Sequence, residues 1–432
     1  VSTSSAAVRS RACRTSTPAI TSRCPHSRPS RGVEAPPAEE ITVATEVPPP
    51  NEIPEVVPPN KFQKLLPLLM GVAIIGMIGI FLSMGIRRMS PMMLMFPLMF
   101  LMAAGGMMAG HGNSGGPKTP EIDLNRRKYL EMLTGLRRKV HSRAAAQYRY
   151  LAHYAPSPDT LAALVSSPRQ WERSAPDRDP TYFLAPRVGV APQKLGGGMT
   201  MKETAEKKDL EPVARTAGER FFRAHRAVEG MPTLIDLKTH RAVQFFGEGD
   251  LASVVRALLL QVAVFHPPNM VMIAVVTNNP GEWDWIKWLP HNQHPLRQDA
   301  LGTERMVYSP AEAGAALAEL IADRGDFSAD DKYTGAKPWL IVVADGVGSV
   351  PGCGEGLEAV TVIRRGEVDE SGLETLGARV QIAADGAARK RRMTPDDPLK
   401  FWLSRADSVG VEQARQAARR LTLRCTAPPQ RG

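Results

Sequence analysis

The alternation of apolar and polar positions divides the chain into stretches of different character. Residues 65–86, and again 92–109, are apolar and uncharged almost throughout, with Pro67 near the start of the first run. Each run is close to the roughly 20 residues that a helix needs to cross a hydrocarbon core. Neither shows the polar face of a helix packed on a soluble core. The pattern predicts a transmembrane hairpin over 61–111, turned by Arg87, Arg88, Met89, Ser90 and Pro91. Gly105, Gly106 and Gly110 would let another helix approach the second span closely. Next, Tyr129, Leu133, Leu136, Val140, Ala144 and Leu151 recur at helical spacing. They predict one helix over 122–154, at about 1.5 Å per residue a stalk of roughly 50 Å. Arg137, Arg138, Lys139 and Arg143 lie off that stripe, at the level of lipid headgroups. Ala155-Pro156-Ser157-Pro158 ends the helix.

Beyond Leu161 short apolar runs alternate with amphipathic ones. Strands are predicted at 243–246, 271–276, 340–344, 360–363 and 380–383, and helices at 251–265, 311–323 and 411–423. Strands separated by helices of this length imply an α/β, doubly wound, largely parallel sheet over 159–424.

Charge changes the picture at the N-terminus. Residues 1–33 hold six arginines and no acid, and 34–60 hold six glutamates and no Lys or Arg. With three prolines at 48–50, residues 1–60 read as a disordered tail. No apolar core of a secretory signal follows the early arginines. Basic residues set the orientation of the hairpin. Lys61 and Lys64 flank one outer end, Lys118, Arg126, Arg127 and Lys128 the other, and Arg87 and Arg88 alone the turn. Both termini are therefore expected in the cytoplasm, which makes the chain a multi-pass protein of the inner membrane. Cys13, Cys24, Cys353 and Cys425 form no paired motif, so neither a disulfide framework nor a zinc site is signalled. No cofactor or metal is expected.

Two segments carry a family resemblance. Ala263-Val264-Phe265-His266-Pro267-Pro268 leads into an apolar strand, and Trp283-Asp284-Trp285-Ile286-Lys287-Trp288-Leu289-Pro290-His291 follows it. Together with Ser90-Pro91-Met92-Met93-Leu94-Met95 and Pro168-Arg169-Gln170-Trp171, they resemble the N-terminal half of EccC, over roughly residues 57–421. EccC is the membrane-anchored FtsK/SpoIIIE-type ATPase subunit of the mycobacterial type VII (ESX) secretion system. In that family three FtsK-type ATPase domains normally follow this region, whereas residues 425–432 read as a tail.

A P-loop needs G-x-x-x-x-G-K-[ST], because backbone amides wrap the phosphates, the lysine reaches them and the hydroxyl holds magnesium. No Gly-Lys pair occurs in the sequence. The lookalike at 112–119 has a proline before its lysine and follows an apolar run, so it reads as a linker. The FtsK-type pattern instead resembles the segment Gly247, Glu248, Gly249, Asp250, Leu251, Ala252, anchored by Arg256. On that placement Leu251 stands at the lysine position and Ala252 at the magnesium-binding serine. Asp345 stands at the Walker B aspartate, with Gly346 where an activating glutamate usually follows. The resemblance thus implies a degenerate FtsK-type ATPase domain with no catalytic residues in Gly247, Gly249, Asp250, Leu251, Ala252 and Asp345.

Other residues receive plainer readings. His291 and His294 lack a zinc-protease spacing and read as surface residues. Trp283, Trp285 and Trp288 read as a short helix packed on the sheet edge rather than as a base-stacking surface. Arg389-Lys390-Arg391-Arg392 reads as a solvated loop, and no nucleic-acid partner is expected. The expected function is a non-enzymatic membrane anchor and stalk of a type VII complex. Its expected partners are the EccB, EccD and EccE families, further copies of itself and the lipid bilayer. The alternatives are an ATP-driven FtsK-like motor and a membrane scaffold unrelated to secretion.

Overall fold

A computed structural model gives the architecture. It describes residues 44–50, 52, 69, 71–77, 79, 80, 83, 99, 102, 119–177, 180–202, 210–300, 302–328, 333–348, 350–353, 356–366, 377–392, 401–403 and 405–426. Those residues form two compact units, a smaller one drawn from 43–142 and 197–226 and a larger one from 143–196 and 227–432.

The expected hairpin is not supported. Among the described residues no helix is long and apolar enough to cross a membrane. Residues 69, 71–77, 79, 80 and 83 of the first apolar run are helical, as are Met99 and Met102 of the second, and the rest of both runs lies outside the described residues. The expected multi-pass location and the bilayer as a partner are corrected with it. The linker reading at 112–118 also falls outside the described residues.

In the smaller unit, β1 (Thr45–Val47) pairs in parallel with β3 (Met199–Met201), so a strand stands inside the segment read as a tail. The helix α1 (Thr119–Tyr154) begins in this unit and buries Tyr129, Leu133 and Val140 of the predicted stripe. Tyr129 donates its hydroxyl to the Pro48 carbonyl at 3.0 Å. The helix α3 (Pro212–His225) starts on a Glu211 cap, whose carboxylate accepts the Val213 and Ala214 amides and pairs with Arg126 at 2.8 Å. Asp or Glu at a helix start also meets the positive end of the helix dipole.

The larger unit holds the sheet. Its strands are β5 (Ala242–Gly247), β6 (Val271–Thr277), β9 (Val307–Tyr308), β10 (Trp339–Asp345), β11 (Val360–Arg365), β12 (Gly377–Ile382), β13 (Ala388–Arg392) and β14 (Phe401–Leu403). The order across the sheet is β14-β13-β12-β5-β11-β10-β6-β9. All neighbours from β12 to β9 run parallel, and β13 and β14 add an antiparallel margin.

Central strands of this kind are buried on both faces and read as continuous apolar runs. Alternate residues therefore feed two cores. Ile273, Val275, Ile341 and Val343 face α4 (Leu251–Phe265) and α6 (Val411–Thr426). Met272, Ala274, Leu340, Val342 and Ala344 face α5 (Pro310–Ile321) on the other side. α4 is apolar almost all round, as a helix sandwiched between a sheet and a second helix should be. α2 (Pro158–Leu164) buries Leu161 against it. α5 starts on a capping box, in which Ser309 and Glu312 satisfy each other's backbone amides.

A second, antiparallel sheet of order β15-β2-β4 joins β2 (Arg187–Lys194), β4 (Ala227–Leu234) and β15 (Arg405–Ala406). The hairpin β7 (Gln293–Asp299) and β8 (Gly302–Arg305) stands apart from both sheets. Arg187 reaches Asp407 with Nε at 2.8 Å, and both side chains are nearly buried. The pair ties β2 to the segment that enters α6.

Candidate functional site

Ligands of open parallel sheets bind beyond the carboxyl ends of the strands. Gly247, Thr277, Asp345 and Arg365 all end their strands on that edge. They gather into one site there.

The β5–α4 connection is short. Glu248, Gly249 and Asp250 alone separate the strand from the helix, which leaves no room for the wrapped loop of a phosphate cradle. Its glycines serve a different purpose. At φ +116° Gly247 brings its backbone against β12, where a Cβ would stand 2.2 Å from the Ile382 carbonyl oxygen. Gly249 donates its amide to the same oxygen at 3.3 Å, and a Cβ there would meet the Ile382 side chain at 2.5 Å.

The helix start is already occupied by protein. Asp250 caps α4 by accepting the Ser253 amide at 3.0 Å, and the Ser253 hydroxyl donates back to the Asp250 carbonyl at 2.8 Å. Leu251 packs against the core, and Ala252 is buried. Leu251 carries no charge and Ala252 no side-chain oxygen. Arg256 lies one turn further on. It donates Nε to the Val409 carbonyl at 2.9 Å and stands 3.8 Å from Asp250. Burial lowers its affinity for the proton, and the nearby Asp250 and Glu282 oppose that shift.

Asp345 is enclosed on three sides. One carboxylate oxygen accepts the Trp283 indole N–H at 2.7 Å and the Thr277 hydroxyl at 2.9 Å. The other accepts Nε of Arg365. Arg365 in turn holds Glu282 through both terminal nitrogens, at 2.9 and 2.7 Å, a bidentate fork. Burial pushes the Asp345 carboxyl up. The hydrogen bonds from Arg365, Trp283 and Thr277 outweigh it and hold the group below its ordinary value. Arg365 thus supplies the positive charge that faces the aspartate.

The tryptophan run is part of this enclosure. Residues Pro280–Trp288 form a 3-10 helix in which Trp283 and Trp285 are buried, and Trp283 reaches Asp345 directly. At its far end Arg419 of α6 stacks over the Trp288 ring, 4.7 Å from the centroid.

The two histidines that the pattern read as surface residues are buried instead. His291 donates Nε2 to the His266 carbonyl at 2.8 Å. His294 accepts the amides of Leu296 and Arg297 on Nδ1, at 3.2 and 3.0 Å. His266 accepts the Leu184 amide on Nε2, so its Nδ1 carries the proton that goes to the Val262 carbonyl. Backbone groups match both nitrogens of His266 but only one each of His291 and His294, whose Nδ1 and Nε2 respectively are buried without a hydrogen-bond partner among the described residues. Among the described residues no group of three or more His, Cys, Asp or Glu is placed to hold a metal ion.

No protein-family model matches the chain. Sequence comparison with curated proteins does find relatives. The chain is 33% identical over 385 residues to the ESX-1 secretion system protein EccCa1 of Mycobacterium tuberculosis, which covers 86% of the chain and 49% of that protein. The chain is a homologue of EccC. It is 31% identical over 412 residues to EccC3 of the ESX-3 system (91% of the chain, 29% of that protein). It is also 33% identical over 384 residues to EccC of Thermomonospora curvata (86% and 28%). The chain therefore spans half or less of the length of the curated relatives it matches.

Similar solved structures include the cytoplasmic domain of the Thermomonospora curvata type VII secretion ATPase EccC. It matches at TM-score 0.34 and 13% identity, over 66% of the chain and 36% of that one. ATPases 2 and 3 of EssC from Geobacillus thermodenitrificans match at TM-score 0.35 and 12% identity, over 56% and 49%.

The comparisons overturn one expectation and support another. The expectation of a chain that is no enzyme is corrected, because the EccC of Thermomonospora curvata, 33% identical to it over 384 residues, is a type VII secretion ATPase. A place in type VII secretion does fit, because the relatives belong to ESX systems.

Sequence reasoning missed Thr277, Glu282 and Arg365, and gave Trp283 a packing role alone. The one legible signal was Trp283 itself, since a buried indole N–H needs an acceptor.

Proposed function

We propose that this chain works within an EccC-type ATPase of a type VII secretion system. Its eight-stranded domain, over 159–424, serves there as an FtsK-type domain with a degenerate nucleotide site at Gly247, Gly249, Asp250, Leu251, Ala252 and Asp345. The observation that carries the reading is the enclosure of Asp345 by Arg365, Trp283 and Thr277 beside a three-residue β5–α4 turn. Phosphoryl transfer depends on positioning and on charge stabilisation. A site whose acidic group is held by an internal arginine offers neither to a nucleotide. What it offers is rigidity, because Arg365 and Glu282 bind the ends of β10 and β11 to the tryptophan helix.

The proposed partners are the EccB, EccD and EccE families of the same secretion system, together with further copies of the chain. Co-expression of the full chain with those three proteins from one type VII system, followed by affinity capture of the chain, tests this. Recovery of the three in constant ratio is the expected result. Capture of the chain alone, with its fold intact by circular dichroism, would count against a place in the complex.

A further inference from the structure

Arg364 and Arg365 are neighbours on β11 and turn to opposite faces of the sheet. Arg365 serves Asp345, and among the described residues no acid pairs with Arg364. In register it stands beside Ala344 of β10 on one side and Gln244 of β5 on the other. Gln244 stands beside Arg379 of β12, and the register continues to Arg391 of β13. Neighbours of this kind share a face and lie within side-chain reach. The face is the one that α5 covers further along, since Ala344 belongs to that core.

Two of these side chains are deeply buried and incompletely satisfied. Arg364 is 8% exposed, and its Nε is buried with no hydrogen-bond partner. The charged group that acts on it is another cation, Arg241, and burial with that repulsion lowers its hold on its proton. Gln244 is fully buried. Its Nε2 donates to the Gly366 carbonyl at 3.1 Å, while its Oε1 has no donor. Arg379 lies over the Phe246 ring at 4.8 Å and closes the row on the β12 side. A buried guanidinium without a counter-charge is costly, as is a buried amide oxygen without a donor.

We propose that the Arg364–Gln244 row binds inorganic phosphate. The orphaned groups ask for one ligand with two properties: oxygens that accept from a guanidinium and an O–H that donates to an amide oxygen. Hydrogen phosphate carries both. A carboxylate or sulfate at neutral pH carries only the first, and so does a phosphomonoester that has lost its second proton, with a pKa of about 6. Arginine suits the oxyanion through its planar fork of donors. The site stands on the face opposite Asp345, so it is independent of the nucleotide reading.

Calorimetric titration of the full chain at pH 7 with sodium phosphate, sodium sulfate and phosphoserine tests this. Saturable phosphate binding is expected, tighter than sulfate or phosphoserine by about tenfold, the worth of one added hydrogen bond to a buried group. Arg364→Met should abolish it and raise the melting temperature, because it removes an unpaired buried charge. Gln244→Leu should retain weak binding with phosphate and sulfate now equal. Absence of phosphate binding would overturn the site. So would equal binding of all three anions by the unmodified chain, unchanged binding in Arg364→Met, or a fall in the melting temperature of that variant.

Discussion

Replacing Asp345 with alanine is expected to destabilise the larger unit by about 3–5 kcal/mol, the range for removing one partner from a buried charge network. The variant strands the Trp283 indole N–H, the Thr277 hydroxyl and one side of Arg365, all of them in or beside the core. Asp345→Asn should fall between the unchanged chain and the alanine variant, since its amide oxygen can still accept from Trp283 and Thr277 while its NH2 faces the Arg365 donor. Urea unfolding followed by tryptophan fluorescence measures the change. Asp284→Ala provides the contrast, because its pair with Lys287 is half exposed and surface pairs contribute about 1 kcal/mol or less. Equal losses in the two alanine variants would mean that Asp345 is not held as described. The contribution of Asp345 also has a pH signature. Its folded value lies below the ordinary carboxylate value, so the stabilisation is present above that range and is lost as pH falls through the folded value.

The second large effect comes from the buried histidines and acts at milder pH. Burial, the main cause, pulls His291 down to about 4, against the opposing hydrogen bond to the His266 carbonyl. His266 is pulled well below its ordinary value by burial and by Arg173. Above the unfolded value of about 6.5 both states are neutral, and the rings add no pH dependence. Below it the unfolded chain takes up protons that the folded chain refuses, so stability falls with pH. For His291 the loss between pH 6.5 and 4 amounts to about 3 kcal/mol, at about 1.4 kcal/mol per unit. Unfolding free energies measured at half-unit steps over that window should slope downward toward acid. His291→Gln should flatten the slope by about one proton, whatever its effect on stability at pH 7. An unchanged slope in that variant would place the titration elsewhere.

Some of this architecture can be read from the chain and some cannot, for reasons that differ by residue. The α4 helix was legible over 251–265, because an apolar run of helical length stands there, whereas the Asp250 cap was seen only in the structure. β6 and β10 were legible as continuous apolar strands, and Asp345 as the acid that ends one of them. The antiparallel sheet was not. β2 ends in Gln193 and Lys194, and β4 carries Glu229, Gly230 and Pro232, so neither alternates cleanly.

Within the site the individual residues were visible and their partnerships were not. Trp283 and Asp345 are 62 positions apart, and Arg365 and Glu282 are 83. Only the parallel register of β6, β10 and β11 brings them together. His291 and His294 read as surface residues because polarity is a poor guide where a ring nitrogen can be matched by a backbone group. The apolar runs that suggested two spans lie largely outside the described residues. Hydropathy names a candidate helix, and the described residues contain none of the required length.

The central claim is that the β5–α4 turn and Asp345 form a closed site that does not receive a nucleotide. The most direct measurement follows the backbone amides of Gly247, Gly249 and Leu251 and the Trp283 indole proton by nuclear magnetic resonance during titration with magnesium ATP. The account predicts that all four signals stay in place through millimolar nucleotide, with the indole proton still shifted by its bond to Asp345. Saturable movement of the three amides, accompanied by loss of the Trp283–Asp345 bond, would contradict it.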